Sequence, residues 1–561
     1  MSIFFDEEKT AAGTDILTPA VSDAPQERAE VARAAGVVGG ATLLSRILGA
    51  VRDIVMASFF GAGMISDAFI AAFRLPNLMR RLFGEGSLSI AFIPVFADTL
   101  YQQGRAEADR MAASAMRLSA VILAMITIFG MALAPWLVRI LAPGFFDAPD
   151  QFALTVDLTR IMMPYIFFIG MVALSMGILN VLGHFAAPAF APVFLNLAMI
   201  GAIGVGSFWS RDQNVLVLWL AVGVAAGGAL QLALQMPFLI KHGFRFKADA
   251  PWWHPSFSRI AWMLGPVLFG TAVYQINSLT VTLLASCLPK GSISYLYYAD
   301  RLVQFPLGIF GIAAATAALP TLARQAAGNQ LAAMRQTFAD TLKLVLFITL
   351  PATVGLIVLR EPIVALLFQR GAFDVHSMRL TASALLYYCI GLWAFAAIRI
   401  VLNVFYALKD TRTPVRMAVV SIAANLFLGL LLMGPMQHDG LALALSLASI
   451  LHLGLLAFEV RRRLGALGWR GIMTSVSKSA LCAVAMGGCV KVMAHWLLPA
   501  AGTKGIALLP AVAVCGMSGV LIFVLLAVTL RLEEVGMILD MVRKKKVAGR
   551  NSGPMEGKDH V

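Results

Sequence analysis

SRILGAVRDIVMASFFGAGMISDAFIAAFRLPNLMRRLFGEGSLSIAFIPVFAD, Ser45 to Asp98, decides how this chain is read. Crossing a bilayer takes about twenty residues of apolar helix, and from Gly36 to Leu100 the sequence reads as two such helices. Yet they carry Arg46, Arg52, Asp53, Asp67, Arg74, Arg80, Arg81 and Glu85. A charge at bilayer depth costs at least about 2.5 kcal/mol on insertion scales, and such residues face a protein interior or a wet cavity. Five cations against three anions leave a positive surplus. That surplus suits an anionic ligand held inside a membrane protein.

The rest of the chain extends this reading. It is 59% hydrophobic and 13% charged, where a soluble domain sits nearer half apolar and a quarter charged. Apolar windows recur at 36–60, 64–99, 114–142, 153–182, 187–209, 214–240, 258–287, 292–320, 340–368, 378–407, 415–434, 438–460, 475–498 and 505–530. They are long runs, not the short alternating segments of an outer-membrane barrel. The sequence predicts an all-α polytopic membrane protein of about fourteen transmembrane helices.

Residues 1–35 are polar and acidic, with Asp6, Glu7, Glu8, Asp15 and Asp23, and lack the basic-then-apolar order of a signal peptide. They are expected to form a disordered cytoplasmic tail. Basic residues gather after even-numbered windows: Arg105, Arg110 and Arg117; Lys241, Arg245 and Lys247; Lys409, Arg412 and Arg416; Arg461, Arg462, Arg463 and Arg470; and Arg543 to Lys546. Arg370 and Arg379 dissent. Cytoplasmic loops carry the excess of Lys and Arg, so both termini are expected in the cytoplasm. The net charge of +14 is therefore a loop property and implies no nucleic-acid partner.

The chain repeats itself. Gly144-Phe145-Phe146-Asp147 matches Gly371-Ala372-Phe373-Asp374, and Arg74-Leu75 matches Arg301-Leu302, at one and the same offset. Ile93–Ala97 resembles Leu319–Ala323, and Leu179-Asn180-Val181 matches Leu402-Asn403-Val404, at nearly that offset. An offset of about six helices gives both copies one orientation, a common transporter plan with the site between the halves. The expected layout is a six-helix bundle at 36–240, a second at 256–462, two additional helices at 475–531 and a basic cytoplasmic tail at 532–561.

Within this layout the charges fall on helix faces. Residues seven apart return to nearly one face, which pairs Arg46 with Asp53, and Asp67 with Arg74 and Arg81. Pro76 is expected to kink the second helix. Arg52 points elsewhere, although its long side chain can swing toward a cavity. The second half supplies Asp300 and Arg301 after Tyr297 and Tyr298, with Gln304 one turn on. Arginine suits phosphate because its planar fork binds two oxygens together. The alternative is a structural salt-bridge network, with Arg52 on Asp53, Arg81 on Glu85 or Asp300 on Arg301. Gln275, Asn277, Asn403 and Asn425 are polar at depth and offer either a cation site or helix–helix contacts. Cys287, Cys389, Cys482, Cys489 and Cys515 show no metal-ligand spacing, and the histidines form no HExxH pattern. No phosphate-binding GxxxxGK[ST] loop is present in the sequence, which argues against direct use of ATP.

Ser45–Asp98 closely resembles the start of the MurJ (MviN-type) lipid II flippase family. Ala142–Phe145, Tyr297–Leu302 and the Thr413-Pro414-Val415 turn match further, and the resemblance runs from Val37 to about Leu532. It implies the fold of the multidrug/oligosaccharidyl-lipid/polysaccharide exporters. Two six-helix bundles would enclose a V-shaped cavity, and two extra helices would form a groove for a lipid tail. The implied substrate is lipid II, the undecaprenyl-pyrophosphate-linked peptidoglycan precursor, in the inner membrane of a bacterium. Arg46, Arg52, Arg80 and Arg301 would bind its pyrophosphate, with Asp53, Asp67 and Asp300 as charge partners. No cofactor is implied; coupling would be to a monovalent cation, whose ligands are not placed, or to membrane potential. Membrane lipids and cell-wall synthesis proteins are the further partners. Rival readings are a cation-coupled multidrug exporter of the same fold, which calls for an acidic cavity, an exporter of another polyprenyl-linked oligosaccharide of the same fold, a lipid-carrier enzyme, which calls for carboxylates, metal ligands or a nucleophile, and a non-transporting scaffold.

Overall fold

The structure, a computed structural model, describes residues 24–82, 88–244, 251–465, 468–498 and 505–540. Among the described residues every regular element is a helix. The first half contains α1 (Ala24–Phe60), α2 (Met64–Met79), α3 (Leu88–Gln103), α4 (Arg105–Ala132), α5 (Ala134–Leu141), α6 (Pro149–Met162), α7 (Pro164–Val181), α8 (Ala186–Trp209) and α9 (Gln213–Lys241). The second contains α10 (Ser256–Ser286), α11 (Ser292–Pro306), α12 (Ile312–Ala327), α13 (Leu331–Val358), α14 (Arg360–Phe368), α15 (Val375–Ala407) and α16 (Arg412–Leu464). Then come α17 (Trp469–Leu497), α18 (Leu509–Thr529) and a short α19 over 533–540.

The repeat governs where helices break. A π-turn follows α2 from Arg80, and another follows α11 from Leu307, at the repeat offset. Each helix carries a proline near the break, Pro76 and Pro306; proline lacks the N–H that the regular ladder needs. The α4–α5 break at Leu133 recurs between α13 and α14 at Leu359. There Pro135 and Pro362, again related by the repeat, fall in the first helical turn, where a missing N–H costs nothing. α16 is two helices joined at Gln437, whose φ of 50° is left-handed. They correspond to α8 and α9.

Nine helical stretches are long and apolar enough to cross a membrane among the described residues. α2, α3, α11 and α12, of 15 or 16 residues each, are too short to cross alone. The expected fourteen crossings are therefore not counted by this measure.

Two expectations at the ends change. α1 begins at Ala24, well inside the tail expected to be disordered. Pro25 suits a first turn, and the Glu, Arg and Ala that follow are strong helix formers; Met1–Asp23 lie outside the described residues. At the other end, 532–540 is not a free basic tail. Leu532 and, in α19, Glu534 are buried, Ser475 donates to Glu534, and Lys343 pairs with Glu533 at 3.1 Å. The Arg543–Lys546 cluster lies outside the described residues.

Within the first half α8 packs along α1 and α9, and α7 along α3, α4 and α9. Within the second, α15 is central, flanked by α11, α12, α13 and α16. α17 lies on α13, and α18 on α17. One apolar core runs through both halves, joining Phe69 and Tyr165 to Tyr298 and Phe373.

The halves also close on each other through backbone at the end where α1 meets α2. The Ala372 N–H donates to Ser58 O at 2.8 Å. Gly371, at φ +57°, lies so close that an added Cβ would sit 2.2 Å from Ser58 O. The repeat supplies the mirror contact. A Cβ on Gly144 would sit 2.2 Å from Ser286 O, and the Gly144 N–H donates to Ser286 Oγ at 3.2 Å. Gly144 and Gly371 are repeat mates, and Ser58 and Ser286 are so to within one position. Gly144→Ala and Gly371→Ala are each expected to lower the thermal unfolding midpoint in detergent by about 2 °C or more. Gly355→Ala, in open space within α13, should leave it unchanged or raise it.

Candidate anion site between the halves

Beyond its middle, α1 carries Arg52 and Asp53 side by side, both buried. Asp53 Oδ1 accepts from Arg52 Nε at 3.0 Å and from Arg52 Nη2 at 2.7 Å. Its other oxygen, Oδ2, lies 3.2 Å from Arg301 Nε, which comes from α11 in the opposite half. The Tyr297 hydroxyl, one turn before Arg301, donates to Asp53 Oδ1 at 3.0 Å. It accepts from Arg301 Nη2 at 3.0 Å and from Arg52 Nη2 at 3.3 Å. The Arg301 guanidinium also lies 4.7 Å from the Tyr297 ring centroid.

Two guanidinium groups thus share one carboxylate, so the cluster keeps one positive charge. The Arg52 side chain is 9% exposed and that of Arg301 is 31% exposed. Arg301 is therefore the cation with spare donors facing solvent. Asn196 on α8 fixes Arg52 from behind. Its Oδ1 accepts from Arg52 Nη1 at 3.1 Å, and its Nδ2 donates to Ser45 O and Pro192 O. A buried carbonyl–amide anchor of this kind leaves little freedom to the group it holds.

Arg46, on the α1 face expected to carry Asp53 as well, reaches a different place. Its side chain is exposed, and its Nη1 lies where a Cβ on Gly308 would come within 2.4 Å. Gly308 belongs to the π-turn after α11, so Arg46 also bridges the halves. Among the described residues it makes no hydrogen bond or ion pair.

The remaining expected residues divide. Asp300 accepts from Gln304 and lies in the field of Arg74, which also faces Tyr388. This couples Arg74 of the first half to a carboxylate of the second. Arg80 Nε donates to Asn77 Oδ1 at 3.2 Å, three residues back along the chain. Glu85 lies outside the described residues. Asp67 differs from the expectation of a charge partner for the arginines. Its Oδ2 accepts from the Gly291 N–H at 2.6 Å, and its Oδ1 from the Ser294 N–H at 2.8 Å and the Ser294 hydroxyl at 2.6 Å. It caps the start of α11 from the other half, satisfying N–H groups that a helix start leaves unpaired. Asp67 and Ser294 are separated by the repeat offset itself, so two repeat mates meet.

Sequence reasoning placed Tyr297 beside the site without a role and missed Asn196, whose signal was an isolated amide in an apolar window. Of the residues considered for a cation site, Asn425 Nδ2 donates to Asn277 Oδ1 at 2.7 Å, and Asn403 Nδ2 to Ala315 O at 2.6 Å. Both are contacts between helices. Among the described residues no group of three His, Cys, Asp or Glu is placed to hold a metal.

Paired helical bundles in parallel repeat, meeting at a buried site of net positive charge, define a membrane transporter. Residues 56–512 match the family described as Lipid II flippase MurJ. A Vibrio cholerae protein named Probable lipid II flippase MurJ is 38% identical over 430 residues, 75% of this chain and 81% of its own length. A solved lipid II flippase MurJ in an inward closed conformation superposes with a TM-score of 0.73 at 26% identity, over 88% of this chain and 98% of its own. An inward-facing multidrug MATE transporter of the MOP superfamily reaches a TM-score of 0.61 at 16% identity, over 75% and 95% of the two chains, and shares the fold alone. The chain belongs to the MurJ lipid II flippase family.

Asp67→Asn keeps the shape of the side chain but turns an acceptor into a donor facing N–H groups. Leaving a buried donor unpaired costs about 1–3 kcal/mol. Hydrogen–deuterium exchange at the Gly291 and Ser294 amides should quicken in this variant by about tenfold or more, with α17 and α18 unaffected.

Proposed function

We propose that this chain moves lipid II from the inner to the outer leaflet of the bacterial cytoplasmic membrane by alternating access, for cell-wall synthesis. The observation that carries this reading is the cationic surplus where the halves meet. Asp53 neutralises only one of Arg52 and Arg301, and Arg46 stands exposed on the same helix.

The pyrophosphate of lipid II engages Arg301 and Arg46 first, because their guanidinium groups are the accessible ones. Arg52 adds charge from behind and keeps Asp53 in place. Arg80 serves nearer the cytoplasmic mouth. The sugar–peptide head occupies the wet space between the bundles. The polyprenyl tail stays in lipid along α17 and α18, since withdrawing it costs about 0.8 kcal/mol per CH₂. A lateral opening for the tail is supported by an asymmetry of packing. α10 lies along α3, with Arg259 and Asp98 paired at 3.0 Å, whereas among the described residues the repeat-related α1 packs no such length of α12.

Under the positive-inside orientation the glycine contacts and the Asp67 cap lie at the periplasmic end. They close the outer side while the site loads from within. Rocking of the bundles then breaks Gly371–Ser58, Gly144–Ser286 and Asp67–Ser294 together and opens the site outward. An anionic head leaving a negative cytoplasm is driven outward by about 2.3 kcal/mol per charge per 100 mV. Two charges therefore gain roughly 4–5 kcal/mol at 100 mV without ATP. A drug exporter for cations would place carboxylates where this chain places arginines.

In proteoliposomes, Arg46→Ala and Arg301→Ala are expected to abolish lipid II flipping while the protein remains folded; normal rates in both overturn the reading. Setting a potassium diffusion potential of about 100 mV, negative on the donor side, should speed wild-type flipping, and reversing it should slow it.

A further inference from the structure

We infer that Tyr297 is a positioning residue of the anion site, whose hydroxyl holds Arg52 and Arg301 converged on one point. The inference rests on the reading of this site as the pyrophosphate site and extends it to a residue that carries no charge. Three hydrogen bonds meet at that single oxygen. It accepts from Arg301 Nη2 at 3.0 Å and Arg52 Nη2 at 3.3 Å while donating to Asp53 Oδ1 at 3.0 Å. Two like charges drawn onto one small oxygen repel each other, so something must offset that repulsion. Asp53 does so by charge, and the phenol does so by geometry, because its lone pairs and its O–H can serve all three groups at once. Hydrogen bonds to charged groups are also stronger than neutral ones.

The arrangement has the form of an oxygen site between two guanidinium forks. In the structure the phenol oxygen takes that place. A phosphate oxygen arriving at Arg301, the more exposed of the two, meets donors already aimed at an oxygen. The cost of orienting two long side chains is then met before binding.

The repeat argues that this is a device of the site rather than of the scaffold. The glycine contacts exist twice, once per repeat. The repeat counterpart of Tyr297 is Ile70, and those of Arg52 and Asp53 fall within Leu279, Thr280 and Val281. Side chains of these kinds cannot rebuild the network at the pseudo-symmetric place. The neighbouring Tyr298 has a different role. Its ring is fully buried against Phe368 and Phe373, at centroid distances of 5.0 and 5.5 Å.

The test measures initial flipping rates of the full-length protein in proteoliposomes across a range of lipid II mole fractions. Tyr297→Phe keeps the ring under Arg301 and removes only the oxygen. It is expected to raise the half-saturating lipid II fraction about tenfold while the maximal rate stays within about twofold. Tyr298→Phe should leave both unchanged. Tyr297→Gln restores an acceptor and a donor without a ring, so half-saturation should rank wild type lowest, then Gln, then Phe. A role in ring packing alone would place Phe below Gln, and that order overturns the inference. So does a Tyr297→Phe half-saturation within twofold of wild type. If Tyr297→Phe fails to fold, Tyr297→Leu, which is close to Gln in size but has no polar atom, replaces it as the variant without an oxygen: a half-saturation higher in Leu than in Gln supports the inference, and equal or lower values in Leu overturn it. Arg301→Ala, run alongside, separates the two claims. If it flips normally, the assignment of the pyrophosphate site falls; if it is inactive while Tyr297→Phe behaves as wild type, only the role of Tyr297 falls.

Discussion

A single carboxylate, Asp53, is held by an arginine of its own helix and by an arginine from the other half of the chain. The carboxylate is the member that cannot be spared. Without it two guanidinium groups would face each other with no counter-charge, and breaking a buried ion pair in this way costs about 3–5 kcal/mol; without either arginine a balanced pair remains. This interaction ties α1 to α11 by side chains across the two halves, alongside the packing of α10 on α3 and of α2 on α11. It also creates the site, because one anion between two cations leaves charge to spare. The groups that join the halves are thus the groups an anionic substrate would engage. A ligand that draws Arg301 away from Asp53 changes the link between the bundles directly, which is the differential interaction a conformational change requires.

The contacts between halves are of two kinds. Gly144 on Ser286 and Gly371 on Ser58 are related by the repeat, as are Asp67 and Ser294, which bond to one another. The glycine contacts use backbone and small residues, as close helix approach in membranes demands, and the Asp67 carboxylate meets the N–H groups at the start of α11. The charged network is asymmetric, with its carboxylate on α1 and its phenol on α11. Duplicated scaffolding around an unduplicated site is what a transporter needs, since the bundles must move as related bodies around a ligand that lacks their symmetry.

Much was legible in the sequence. Long apolar windows could only be helices, because a chain in lipid must satisfy its backbone internally. The constant repeat offset implied two parallel halves before any contact was seen, and the helix breaks at Arg80 and Leu307 follow it. The surplus of arginine in apolar helices pointed to an anion, and the Ser45–Asp98 stretch pointed to the family. The ends were less legible. Ala24 to Ala35 has the polarity of a tail, but polarity does not prevent a helix when the residues are Ala, Glu and Arg. Residues 532–540 look like tail because the basic run beyond them dominates; the burial of Glu534 depends on α17 being there to receive it.

The order of amino acids is enough to establish that charges sit inside the membrane, that cations outnumber anions, and that two related halves supply them. Which of those charges meet is a property of the packed chain. Spacing by sevens put Arg46 with Asp53, and Asp67 with Arg74, on shared faces of their own helices. The fold keeps the neighbouring Arg52 on Asp53, the pair the sequence also offers, but adds Arg301 from the other half, sends Arg46 to Gly308, and uses Asp67 to cap α11. Helical periodicity sets the direction in which a side chain leaves its own axis, but a buried charge is satisfied by whatever the crossing helix presents. That helix comes from the opposite half of the chain, at a depth set by the packing of Gly144, Gly371 and their partners.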